Sequence, residues 1–196
     1  VYLHAMDEFD RHSVILREAD EPGMDVMGFK VRADADLDRF EARLKDQGME
    51  VVHVPAGEQP GVGRRISFVV FANCGQVCFG TERVFVEALD FDVTETVTAP
   101  DGMRIATFLS CSNKAHDLAI VRHAEKGKFH HASFLLEDWS QVGRAADLIT
   151  RYNISLDIGP TRHGITRGKT IYFFDPSGNR NEVFAGGYHH YPDQPR

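Results

Sequence analysis

"HDLAIVRHAEKGKFHHASFLL", residues 116–136, has a counterpart earlier in the same chain, "HSVILREADEPGMDVMGFKV", residues 12–31, at an offset of 104 to 105 positions. Each stretch opens on a His, runs through an apolar strand to an Arg, crosses a charged loop containing Gly and enters a second apolar strand. An amphipathic helix follows in both. In the first copy it is "DADLDRFEARLKDQG", with Leu37, Phe40 and Leu44 on one face. In the second it is "DWSQVGRAADLITRYN", with Val142, Ala145, Leu148 and Ile149 at helical spacing. Further on, "RRISF" (64–68) matches "KTIYF" (169–173) at the same offset of 105. Internal repetition of this kind predicts an α+β fold built from two copies of one mixed module.

The copies are unequal. After Phe173 the second continues "FDPSGNRNEVF", a turn and a closing strand, whereas nothing equivalent follows Phe68. A helix predicted over 81–89 already begins the next module about a dozen residues later. Strands average five to six residues and their connections add more, so this interval is too short for a closing strand, a linker and an opening strand. Residues missing at the join are expected, and the first module's opening strand and helix, which would precede Val1, are expected to be missing too. The pattern otherwise predicts strands at 2–6, 12–17, 24–31, 50–54, 65–72, 91–98, 104–110, 117–122, 129–137, 169–175 and 181–185, with helices at 36–47, 81–89 and 139–152. Residues 55–63 and 159–168 are Gly/Pro-rich and predict loops.

A formal charge of −7 argues against nucleic acid and anionic membrane as partners. No apolar run approaches a membrane span, and no signal peptide is visible. Three cysteines form no disulfide framework and point to a reducing, cytoplasmic setting. Cys74 and Cys78 lack the second pair that a thiolate metal site would need, and buried free thiols are expected instead.

Chemistry concentrates in the second copy. Glu182 stands beside Val183 and Phe184 in the closing strand. It either faces solvent on alternate pleats or is buried, and a buried carboxylate requires a cation, a metal or several donors. The repeat sets Val26 opposite His131, an imidazole where its twin has a hydrocarbon. His130 and His131 are consecutive on a predicted strand and so point to opposite faces, and only one can share a site with Glu182. Two imidazoles and one carboxylate on one side of a divalent iron leave positions open for substrate and oxygen. His163, in a Gly-bracketed loop, and Tyr172, on the strand leading to the turn, form a candidate proton-handling pair, with a simple core aromatic as the alternative for Tyr172.

"KAHDLAIVRHAEKGKFHHASFLLEDW", "DIGPTRHGITRGKTIYFFDPSGNRNEVFAGG" and "LREADEPGMDVMGFKV" closely resemble the extradiol catechol 2,3-dioxygenases (metapyrocatechases) of the vicinal oxygen chelate superfamily, over most of the chain from Tyr2 to Pro192. The resemblance implies paired βαβββ modules, with 1–68 an incomplete non-catalytic module and 69–196 the catalytic domain. It also implies residues lost at the C-terminus. It implies Fe(II) bound through His131 and Glu182, and His116 as the active-site base. His163 and Tyr172 match residues that hydrogen-bond the substrate oxygens, and Phe108, Val121 and Ile165 match the pocket lining. The family's remaining ligand, a His, falls near Val69 or Val70, where this chain has none. The implied reaction is extradiol cleavage of catechol and substituted catechols by O2 to 2-hydroxymuconate semialdehyde, in aromatic compound degradation, by a homotetramer. A glyoxalase-type metal-dependent isomerase and a metal-free binding protein of the bleomycin-resistance kind are the competing readings. If the chain is contiguous as it stands, weak iron binding and little activity are expected.

Overall fold

The computed structural model describes residues 1–5, 8–70, 77–125, 127–191 and 193. Two short strands, β1 (Tyr2–Leu3) and β2 (Val14–Ile15), pair antiparallel ahead of helix α1 (Asp34–Asp46). The α1 amphipathic face buries Leu37 and Leu44, and the Asp36 carboxylate accepts from the Ala33 N–H at 2.9 Å, stabilising the helix start. Strands β3 (Val51–Val54) and β4 (Arg65–Phe68) form a sheet of their own. Helix α2 (Val77–Arg83) runs on into a π-helical segment, Val84–Ala88.

A second antiparallel sheet follows: β5 (Asp92–Thr98), β6 (Arg104–Ser110) and β7 (Leu118–Val121), in that order. The rest comprises β8 (Ala132–Leu135), α3 (Trp139–Arg151), β9 (Ser155–Arg162), β10 (Lys169–Phe174) and β11 (Arg180–Ala185). These strands form a four-stranded sheet ordered β8-β11-β10-β9, in which β11 pairs parallel with β8 and antiparallel with β10. Asp138 caps α3 by accepting from the Ser140 N–H at 2.8 Å, and the helix buries Val142 and Ile149.

The two-residue period of the strands sorts this sheet into two faces. Ile171 of β10 and Ala185 of β11 pack with Val142 and Ile149 of α3, joined by the partly buried Phe173 and Val183. The intervening residues, Thr170 and Tyr172 on β10, Glu182 on β11 and Ser133 on β8, therefore point away from α3. In register, Tyr172 pairs with Glu182, and Glu182 with Ser133.

Several expectations are corrected. Residues 24–31 form no strand, and Met24, Val26, Met27 and Phe29 are exposed there, Val26 by 77 %. A strand persists only where a neighbour takes up its backbone groups, and among the described residues none is present at this position. The N-terminal strands are far shorter than the apolar pattern suggested. Residues 155–162, expected in part to be loop, are edge strand β9, which tolerates Pro160 because one of its sides is unpaired. Gly159, at φ +112, is forced by proximity, since a Cβ there would lie 2.7 Å from the Thr170 carbonyl oxygen. The burial expected for Cys74 and Cys78 concerns side chains that lie outside the described residues, and Cys111 is exposed. Among the described residues no helix is long and apolar enough to cross a membrane.

Candidate active site

Glu182 is buried, 5 % exposed, on the face of the sheet opposite α3. Four side chains meet its carboxylate. His131 Nε2 lies 3.2 Å from Oε2 and His163 Nε2 lies 3.1 Å from Oε1, while the hydroxyls of Ser133 and Thr170 donate to the two oxygens. Burial by itself would raise the Glu182 pKa. The bonds from His131, His163, Ser133 and Thr170 outweigh it and hold the carboxyl well below the usual range. The carboxylate is thus ionised and fully engaged, which closes the question its sequence context left open.

His131 reaches Glu182 from just before β8, two residues upstream of Ser133. Because the strand starts at Ala132, alternation does not separate His130 from His131 as expected. Their rings lie 4.8 Å apart, centroid to centroid, and the two Nδ1 atoms approach each other. His163 leaves the end of β9 in a loop closed by its own N–H donating to the Gly168 carbonyl at 2.8 Å. Its Nε2 also lies 2.9 Å from the Tyr172 hydroxyl. That nitrogen carries either one proton or one lone pair, so a proton on it serves the carboxylate and a bare nitrogen accepts from the phenol. Burial, then the Glu182 charge, pushes the Tyr172 phenol up, so it stays protonated.

His116 precedes β7 and is stacked edge-on to Phe108 of β6, with ring centroids 5.0 Å apart. Burial lowers its pKa, partly offset by Glu182 and Asp117, and the charges of His131 and His163 also act on it. Its Nδ1 is buried with no hydrogen-bond partner among the described residues. Val121 ends β7 and is 48 % exposed, and Ile165 is half-buried two residues after His163. The structure therefore brings together His131, His163, Tyr172 and Glu182, sets His116 with Phe108 within their electrostatic reach, and leaves Val121 at the rim.

Sequence reasoning passed over Ser133, Thr170 and Arg180. Ser133 is two residues after His131, Thr170 two before Tyr172 and Arg180 two before Glu182, so same-face spacing was the available signal. The Arg180 guanidinium lies 4.0 Å from the centroid of the Tyr172 ring, and Asp157 accepts from it at 2.7 Å.

A divalent metal is a natural guest for an imidazole nitrogen beside an ionised carboxylate, and His131 with Glu182 fits it in kind. The number of donors falls short. Val69 is 62 % exposed, Val70 packs against the Phe85, Phe91 and Leu109 cluster, and among the described residues no three metal-ligating side chains form a group able to hold an ion.

A mixed sheet with one buried carboxylate–imidazole face is the arrangement of the glyoxalase-like fold. Residues 83–183 match the Glyoxalase/Bleomycin resistance protein/Dioxygenase superfamily, and residues 24–72 match the Catechol 2,3-dioxygenase-like N-terminal domain. A metapyrocatechase of Pseudomonas sp. (strain CF600) is 46 % identical, covering 98 % of this chain and 76 % of that protein. A manganese-dependent 2,3-dihydroxybiphenyl 1,2-dioxygenase of Geobacillus genomosp. 3 is 23 % identical over 96 % of this chain and 75 % of its own length. The crystal structure of a 2,3-dioxygenase from Pseudomonas sp. KL28 superposes with a TM-score of 0.85 at 40 % identity, covering 91 % of this chain and 77 % of that one. Homoprotocatechuate 2,3-dioxygenase from Arthrobacter globiformis shares the fold, with a TM-score of 0.81 at 22 % identity over 99 % of this chain and 71 % of that one. The chain belongs to the extradiol catechol 2,3-dioxygenase (metapyrocatechase) family, whose cofactor is a metal ion.

The alignment with the Pseudomonas sp. (strain CF600) enzyme spans 235 positions, 39 more than the 196 residues of this chain, so at least that many residues of the relative have no counterpart here. The two family matches stop at 72 and resume at 83, around the join where the repeat predicts a loss.

Proposed function

We propose that the protein opens the ring of catechol and substituted catechols beside the two hydroxyls, adding both atoms of O2 to give 2-hydroxymuconate semialdehyde, in aromatic compound degradation. The observation that carries this is the buried Glu182 carboxylate met by His131 and His163, on a chain 46 % identical to a metapyrocatechase. His131 and Glu182 would hold Fe(II). That ion supplies an electron-rich centre able to take up the diol and O2 together.

The chain's own residues do the rest. His116, kept neutral at physiological pH by burial, accepts a proton from a catechol hydroxyl and later returns it. His163 and Tyr172 hydrogen-bond the substrate oxygens. The phenol keeps its proton, so it can donate a hydrogen bond to a bare His163 Nε2 or to a substrate oxygen. Phe108, Val121 and Ile165 line the place of the ring. The division into 1–68 and 69–196 assigns this chemistry to the second part, and a cytoplasmic homotetramer is the proposed working state.

An oxygen electrode tests the reading. Anaerobically Fe(II)-loaded protein given catechol is expected to consume one O2 per catechol, with the ring-opened semialdehyde appearing in step. Loaded protein that consumes no oxygen, or that turns catechol over without it, would overturn the proposal.

A further inference from the structure

The loop that carries His116 is tied from within by one carboxylate. Asp117 Oδ2 accepts from the Cys111 N–H at 3.0 Å and the Ser112 hydroxyl at 2.8 Å, and Lys114 Nζ lies 2.6 Å from Oδ1. The Asp117 N–H donates to the Leu109 carbonyl at 2.8 Å. The wholly buried Ser110 hydroxyl lies 3.0 Å from each of three acceptors, Asp117 Oδ2 and the carbonyls of Ser112 and Lys114. It has one proton to give, so the three compete and it sits at their centre. From outside the loop, the His190 N–H donates to the Asn113 carbonyl at 2.9 Å, and Lys114 bridges to His189.

His116 is the residue left over. Its ring has an edge contact with Phe108, and among the described residues its Nδ1 has no hydrogen bond that would fix the ring. An imidazole whose Nδ1 is unbonded is aimed largely by the backbone beneath it, and Asp117 ties that backbone to Leu109, Cys111, Ser112 and Lys114. The first module's counterpart is slighter. There Glu8 accepts from the Ala5 N–H at 2.8 Å and the Ser13 hydroxyl at 2.7 Å. Among the described residues Glu8 thus accepts from two donors, whereas four groups, Ser110, Cys111, Ser112 and Lys114, address Asp117.

We propose that Asp117 is a positioning residue that holds His116 at the angle from which it exchanges protons with substrate. The proposal rests on the role assigned to His116 above. The test compares Asp117→Ala and Asp117→Asn with the parent protein, using catechol kinetics with Fe(II), metal content and the 15N resonances of the His116 ring in metal-free protein. Asp117→Ala is expected to lower kcat about a hundredfold, the scale of a 1 Å misplacement, with KM and metal content within about twofold of the parent. Asp117→Asn, whose carbonyl oxygen still accepts from Cys111 and Ser112, is expected to recover most of kcat. The His116 resonances are expected to be single and sharp in the parent and the Asn variant, and to split or broaden in the Ala variant. Unchanged resonances in the Ala variant, or KM and metal content falling together with kcat, would overturn the proposal. A parent protein that consumes no oxygen while the resonances behave as expected would refute the functional reading and leave the positioning role standing.

Discussion

The two copies of the repeat part company at one position. In the second module, β11 lies between β8 and β10. At the same offset of 105, the first module has residues 75–80, and from Val77 onward these are helix α2. Among the described residues no further strand joins β3 and β4, and residues 24–31, the counterparts of those around β8, join no sheet. The same contrast decides chemistry. Val26 is 77 % exposed, whereas the side chain of its counterpart His131 is 18 % exposed and meets Glu182. Glu182 itself belongs to β11, which has no counterpart strand among the described residues of the first module. The buried carboxylate–imidazole face proposed as the site is therefore a product of strand pairing, since β11 supplies the carboxylate and pairs with β8, next to which His131 stands.

Glu182→Gln is expected to have the largest effect. It keeps the shape, removes the charge that four side chains address, and should reduce metal content and oxygen uptake to background. Full metal retention would mean that the closing strand does not define the site. Next in size is packing. Ile171 is fully buried against α3, and truncation to Ala is expected to cost about 2–5 kcal/mol in denaturant unfolding. Its counterpart Ile66 is only partly buried, and Ile66→Ala is expected to cost less than half as much; equal costs would erase the difference between the sheets.

Acid should expose the same asymmetry. The folded-state pKa of Glu182 lies well below its unfolded value of 4.5, so its contribution to stability is complete above about pH 4.5 and is shed as the pH falls toward the folded value. Stability measured between pH 6 and 3 should therefore drop in the parent protein more steeply than in Glu182→Gln, and parallel curves would contradict the assignment. Smallest of all is Val26→His. An imidazole on this exposed stretch, which joins no sheet among the described residues, should leave metal content unchanged, and a gain of a bound ion would show that residue identity alone creates the site.

The repeat, the helices and the stronger strands were legible because hydrophobic period is a local property of the chain. The α3 face, with Val142 and Ile149, followed directly from spacing. Residues 24–31 read as a strand for the same local reason, and their failure to form one reflects a missing partner that no local pattern records. At the site, His131 against Val26 was visible as a departure from the repeat. The proximity of His130 and His131 was not, because it depends on the strand beginning one residue later than the apolar run suggests. Ser133 and Thr170 went unremarked because a hydroxyl on a strand gains meaning only once a carboxylate is placed opposite it.

The shortage of donors bears on all of this. With only His131 and Glu182 proposed as ligands among the described residues, the chain is expected to need ferrous ion in excess, and metal lost on desalting should return activity when it is added back. The most direct measurement is an anomalous-scattering map of crystals grown anaerobically with Fe(II), alongside crystals of His131→Val. One iron between His131 Nε2 and the Glu182 carboxylate of the parent protein, absent from the variant, is the expected result. Iron elsewhere in the chain, or at that position undiminished in His131→Val, would contradict the account.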